Sequence, residues 1–114
     1  MSAADAIRPH WFQILLTLAE GARHGTAIME EVRERTEGAI MLWPGTLYGS
    51  LSELSERGWI EEVEAPEGAP TAGGRRRFHV LTRAGRVALA EEAARLEAYV
   101  KVARARRVLD EAGA

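Results

Sequence analysis

The last third of this 114-residue chain limits its fold more than any other stretch. From Thr82 to about Ala112 no proline interrupts, and alanine, leucine, glutamate and arginine dominate, all of them strong helix formers. Thr82 is a good N-cap, and Gly85 falls in the first turn, where it costs little. One unbroken helix here would be roughly 45 Å long. The residues before it can form only a body with a radius of gyration near ~12 Å, too small to cover such a helix. Leu89, Ala93, Leu96, Val100 and Ala103 recur at alternating four- and three-residue steps, the seam of helix–helix pairing. Tyr99, Val102, Val108 and Leu109 widen that apolar surface. The economical reading is a homodimer with this seam as its interface. The alternative is a helix folded back on its own domain.

Upstream, three shorter helices and two strands are legible. Residues 1–8 read as a frayed end. Pro9 suits the first turn of a helix, and Trp11, Ile14, Leu15 and Leu18 follow at helical spacing. Phe12, Leu16 and Ala19 make a second apolar face, so this helix is expected to be buried on more than one side. Gly21 ends it. A second helix runs from about Gly25 to Thr36, with Ile28 and Val32 inward and Gly38 as its stop; His24 and Gly25 shape its start. Pro44 opens a third, with Leu47, Leu51 and Leu54 as its core face and Gly58 as its stop. The opposite face carries Gly45, Thr46, Gly49, Ser50 and Glu53, short residues apart from the glutamate, which let a backbone come close to something. Strands are predicted over Trp59 to about Glu64 and about Arg75 to Leu81. In the second, Phe78 and Val80 share one face, Arg77 and His79 the other. The Pro-, Gly- and Ala-rich stretch between them reads as a hairpin tip.

Net charge alone is misleading. Fifteen basic and 17 acidic residues give −2, which argues weakly against a nucleic-acid binder. Yet Gly68 to Ala90 contains no Asp or Glu and carries Arg75, Arg76, Arg77, Arg83 and Arg86, a charge of +5 that leaves −7 on the rest. A basic patch sits on an acidic body. With no Cys there is no disulfide framework and no thiolate metal site. His10 and His79 lack well-spaced acidic partners, so no metal is expected. No Gly-rich phosphate loop, ligand-spaced His pair or nucleophile–base set argues for an enzyme; no catalytic residue and no cofactor are expected. No apolar run approaches the ~18 residues of a membrane span, and the N-terminus lacks a signal-peptide layout. The cytoplasm is the expected location.

Three helices, a strand, a wing, a strand and a long helix is the order of a winged helix-turn-helix. The fold class expected is therefore mainly α with a small β-hairpin. Residues 1–82 would form the DNA-binding domain and residues 83–114 the dimerisation helix. Readers of this kind lay the third helix in the major groove with its N-terminal residues on base edges. That places Gly45, Thr46, Tyr48, Gly49 and Ser50 at double-stranded DNA. Arg75, Arg76 and Arg77 lie where a wing meets backbone or minor groove. The competing function is a dimeric small-molecule-binding or protein-interaction module that does not read DNA.

The residues also resemble the PadR family of bacterial transcriptional regulators, over about residues 11 to 100. The matching runs are Ile14 to Gly21, His24-Gly25, Pro44-Gly45-Thr46-Leu47-Tyr48, Leu51, Leu54 and Gly58 with Ile60-Glu61. Arg76-Arg77-Phe78 and Leu81-Thr82 with Gly85 follow. The sequence departs from the pattern at Thr26, where an aromatic residue is usual, at Trp43, where a short polar N-cap is usual, and at Trp59, where leucine is commoner. The resemblance implies a short-tailed member: a homodimeric repressor of a palindromic operator, often beside a transporter or detoxification gene. It also implies relief by a small aromatic or cationic effector held between N-terminal and C-terminal helices. Here Trp11, Phe12, Leu15, Leu96, Tyr99 and Val100 would line that pocket.

Overall fold

Pro9, whose fixed φ suits a first helical turn, opens helix α1 (Pro9–Leu18) in a computed structural model that describes residues 7–68 and 77–112. Trp11, Ile14, Leu15, Thr17 and Leu18 of α1 are buried. Thr17 is tolerated there because its hydroxyl donates to the Gln13 carbonyl at 3.1 Å, leaving no unpaired polar group inside. Order begins earlier than the sequence suggests: Ile7 joins the core, and the Arg8 guanidinium lies 4.7 Å above the Trp11 ring.

A two-residue strand not anticipated from the sequence, β1 (Arg23–His24), leads directly into helix α2 (Gly25–Arg35). His24 is its N-cap, with Nδ1 accepting from the Ala27 backbone N–H at 3.3 Å. At the other end Gly38 is left-handed (φ 82), as expected of a stop, and Glu37 before it is left-handed too (φ 53). The Gly38 N–H then closes the helix by donating to the Arg33 carbonyl at 2.8 Å. Helix α3 (Pro44–Glu56) ends as its sequence predicts. Gly58 adopts φ +76, and the Gly58 and Trp59 N–H groups donate to the carbonyls of Ser55 and Leu54 at 3.0 and 3.1 Å. This pair of bonds satisfies carbonyls that a helix end would leave bare, and glycine reaches the required φ without strain.

Strands β2 (Ile60–Val63) and β3 (Phe78–Leu81) are both shorter than predicted, and they form an antiparallel sheet in the order β1-β3-β2. The register pairs Ile60 with Leu81 and Glu62 with His79, while His79 also faces Arg23 of β1. Paired residues share a face, so His79 and Leu81 stand with Ile60 on the core side. Phe78 stands on the other side with Val63 and His24, and the His24 ring meets it edge-on at 5.4 Å.

Thr82 caps helix α4 (Arg83–Ala105), its hydroxyl accepting from the Gly85 N–H at 3.0 Å and donating to the Gly58 carbonyl. Gly85 is where α4 meets the body: a Cβ there would overlap the Trp59 carbonyl oxygen and lie 2.8 Å from its carbon. Gly85, Ala88, Leu89 and Glu92 are buried, so α4 packs on the body to Glu92 and then runs free. The single helix expected to Ala112 is in fact two. The chain breaks at Arg106 and Arg107, the latter at φ 60, and resumes as α5 (Val108–Ala112). No glycine or proline compels the break. Arg107 instead gains a bond from its Nε to Asp110 Oδ2 at 3.0 Å. The core joins α1, α2, α3, β2 and the start of α4 through Leu18, Ile28, Leu47, Leu54, Ile60 and Leu89. Each such side chain contributes about 1.5–3 kcal/mol by leaving water. Among the described residues no helix is long and apolar enough to cross a membrane.

Candidate nucleic-acid interface

The core positions of α3 fix which of its residues can reach outward. Leu47, Leu51 and Leu54 are buried and lock the helix to the body at the spacing of one helical face. Gly45, Thr46 and Gly49 are exposed, and a Cβ at either glycine would meet nothing within 4 Å. Ser50 was expected among them and is not: it is buried, because it lies three residues from Leu47 and next to Leu51 on the inner side of the helix. The outward face is therefore Gly45, Thr46, Tyr48 and Gly49.

Tyr48 is half exposed, at 54%, yet its ring has a neighbour. A Cβ at Gly25 would come within 2.9 Å of the Tyr48 hydroxyl and 3.2 Å of Leu47 Cδ2. Glycine at position 25 thus lets α3 settle against the start of α2, and it holds the Tyr48 hydroxyl beside the end of α2 capped by His24. The unpaired N–H groups of a helix start carry partial positive charge. At α3 the N-cap is Trp43, whose side chain makes no capping bond, and Pro44 occupies the next position.

Arg75 and Arg76 lie outside the described residues. Arg77 is described and exposed, but it is not the unopposed cation expected from its own stretch of sequence. Glu62 Oε1 stands 3.6 Å from its Nε. The reason is the ladder: Glu62 pairs with His79 across β2 and β3, which brings an acidic side chain beside a segment that contains none. Next to Arg77, His79 is buried on the core side, with no hydrogen-bond partner for Nδ1 among the described residues. Burial holds its pKa below the ordinary histidine value; Glu62 opposes that shift and Arg77 adds to it.

The residues expected in a dimer seam and an effector pocket divide sharply. Leu89 is buried at 7% exposure in its own chain's core, so it is not available to a partner. Ala93, Leu96 and Val100 are exposed and Ala103 is half-buried, with Tyr99, Val102, Val108 and Leu109 exposed beside them. On α1, Trp11 and Leu15 belong to the core and are buried, while Phe12 is partly buried against it. The Trp11 ring is also met by two of this chain's own cations, Arg8 at 4.7 Å and Arg57 at 5.0 Å. A pocket wall made of Trp11 and Leu15 is therefore corrected to core. Leu96, Tyr99 and Val100 remain accessible on α4.

Sequence reasoning missed β1 and the exposure of Met41 and Trp43, which stand at 50% and 66% just before α3. Two residues of strand are too short for any periodicity to register. The Met41–Trp43 pair was legible only as a departure from the family pattern at Trp43.

Residues 14–91 match the model of the transcriptional regulator PadR-like family. A Lysinibacillus sphaericus protein known only as uncharacterized protein X is 33% identical, over 80% of this chain and 82% of its own length. The crystal structure of a PadR family transcription regulator from Clostridium difficile is 26% identical, with a TM-score of 0.70. It covers 83% of this chain and 94% of that one. Bacillus subtilis PadR, solved in complex with operator DNA, shares the fold at a TM-score of 0.61 and 21% identity. That alignment spans 74% of this chain and 46% of the longer Bacillus protein.

Proposed function

Because the chain belongs to the PadR-like family of transcriptional regulators, we propose that it acts as a homodimeric repressor. It reads a palindromic operator through α3 and the wing, and a small aromatic or cationic effector releases it. The observation that carries this reading is α3: one face is sealed into the core by Leu47, Leu51 and Leu54, while Gly45, Thr46, Tyr48 and Gly49 stand open at its N-terminal end. A reading helix of this class presents its first turns to base edges, and this one has no bulky charged side chain there to hold it away. Arg75, Arg76 and Arg77 supply the phosphate-facing cations of the wing, with Arg77 exchanging Glu62 for phosphate on binding. The second copy is recruited by the apolar surface beyond Glu92, where Ala93, Leu96, Val100 and Ala103 form the seam. The effector occupies the gap that two such helices leave, against Leu96, Tyr99, Val100 and the edge of Phe12.

Gel shift on the DNA upstream of the protein's own coding sequence tests the reading. Affinity is expected to fall steeply with salt, by a log–log slope of roughly 0.9 per phosphate contacted. The double substitution Arg76→Ala with Arg77→Ala is expected to weaken binding and reduce that slope. Unchanged affinity in the variant would remove the wing from the interface. No shift at low or moderate salt would favour a dimeric ligand-binding module instead.

A further inference from the structure

The short segment entering α3 carries apolar surface that the fold does not use. Leu42 is buried in the core, while its neighbours Met41 and Trp43 are 50% and 66% exposed. Trp43 is extended, at φ −82 and ψ 155, and in an extended stretch alternate side chains face opposite ways. Leu42 is thus the anchor, and the residues on either side of it project outward together. The other two tryptophans, Trp11 and Trp59, contribute to or pack against the core. Among the described residues Trp43 has no aromatic or guanidinium partner and makes no capping bond. Its backbone is nonetheless fixed to the helix it precedes. The Trp43 carbonyl accepts the Leu47 N–H at 2.8 Å, and Pro44 restricts the joint. Wherever α3 goes, the backbone that bears the indole is carried at its leading end.

What α3 lacks decides what the indole meets. From Pro44 to Ser50 there is no Arg, Lys, Asn, Gln, Asp or Glu. The bidentate pairs of Arg with guanine and of Asn or Gln with adenine are therefore unavailable from the first two turns. The remaining chemistry for a base edge is the hydroxyls of Thr46 and Tyr48 and apolar contact, and the apolar group that a major groove offers is the thymine 5-methyl. Gly45 and Gly49 leave open space over the helix backbone, so close approach is not blocked.

We propose that Trp43, with Met41 beside it, is a specificity-determining contact that reads thymine methyl groups at the edge of each half-site. This inference rests on the DNA-reading function proposed above. The occupant follows from continuity: the apolar pair adjoins the open face of α3, and a duplex lying on that face reaches it.

The test uses the full chain and duplexes that it selects from a randomised library. Each thymine of the selected half-site is replaced in turn by deoxyuridine, which removes the methyl and leaves base pairing intact. Wild-type protein is expected to lose roughly three- to fivefold in affinity at one or two positions per half-site, the worth of one buried carbon. Trp43→Ala is expected to bind the thymine duplex more weakly and to treat thymine and deoxyuridine alike there, with Trp43→Phe intermediate. Because the side chain is exposed, the variants are expected to keep the wild-type Tm. Salt-dependent binding without deoxyuridine sensitivity, or sensitivity that persists in Trp43→Ala, would overturn the role of the indole while leaving DNA reading in place. Failure to enrich any duplex would overturn both.

Discussion

A methyl group at position 85 would have to occupy the space of the Trp59 carbonyl. Both partners are backbone, so no side chain can swing aside. Gly85→Ala gains about 1 kcal/mol in helix propensity but must push α4 off the sheet, with a typical overpacking cost of roughly 1–3 kcal/mol or more. A net loss of stability is expected, read as a lower midpoint in chemical denaturation. A stability equal to wild type would mean that α4 does not rest on Trp59. His79 gives a second expectation. Burial lowers its pKa in the folded protein, so the unfolded chain binds the proton more readily. Stability is therefore full above about pH 6.5, the ordinary histidine value, and is lost as pH falls through the lower folded value. His79→Gln should flatten the decline in Tm between about pH 7.5 and 5.5; an unchanged slope would assign it elsewhere. His10 is shifted the same way, mainly by burial, so part of the slope will remain. Neither role could be read from the sequence. A glycine in a first turn looks merely tolerable until a strand end is laid against it. Alternation along β3 separates Phe78 from His79 without saying which of them faces the core.

At the scale of elements, the legible parts were those whose signals are local. Pro44 and Gly58 bracket α3, Thr82 caps α4, and the leucines of α3 repeat at helical spacing; each of these stood in the sequence and holds in the fold. The signals that failed were those set by neighbours. Ser50 turned inward because helical position outranks polarity when a hydroxyl is small enough to bury. Arg77 acquired Glu62 because antiparallel pairing sets Glu62 opposite His79, two residues from Arg77. The long helix broke at Arg107 with no breaker residue to announce it. Of the heptad-like seam, Ala93, Leu96 and Val100 lie exposed and Ala103 is half-buried, while Leu89 belongs to the core of its own chain. The remaining seam makes a test of the proposed dimer. Leu96→Glu with Val100→Glu places two charges on exposed apolar positions and touches nothing buried. Such a variant is expected to keep its helicity and sediment as a monomer. A variant that stays dimeric would place the interface on another surface.

The described residues span 51 × 33 × 25 Å, an elongated shape in which α4 runs out beyond the body that holds α3. Packing ends at Glu92, so in the proposed dimer the free part of α4 meets a partner or ligand away from Leu47 and Leu51 of the proposed reading helix. Coupling between the two would have to pass through the turns of α4 that rest on Trp59, Ala88 and Leu89. Charge is divided at this scale too, with +5 gathered on the wing and helix start and −7 elsewhere, a division that helps orient an approaching polyanion. The ion pair between Arg77 and Glu62 adds a subtler effect. Glu62 is a counterion that the protein carries covalently. In the proposed complex Arg77 turns to a phosphate and the duplex sheds its condensed cations there, but the abandoned carboxylate attracts cations back. That contact is counted in the binding energy and undercounted in the salt slope. Phosphates tallied from salt dependence will therefore fall short of those touched, by a deficit that measures how well Glu62 neutralised Arg77 beforehand.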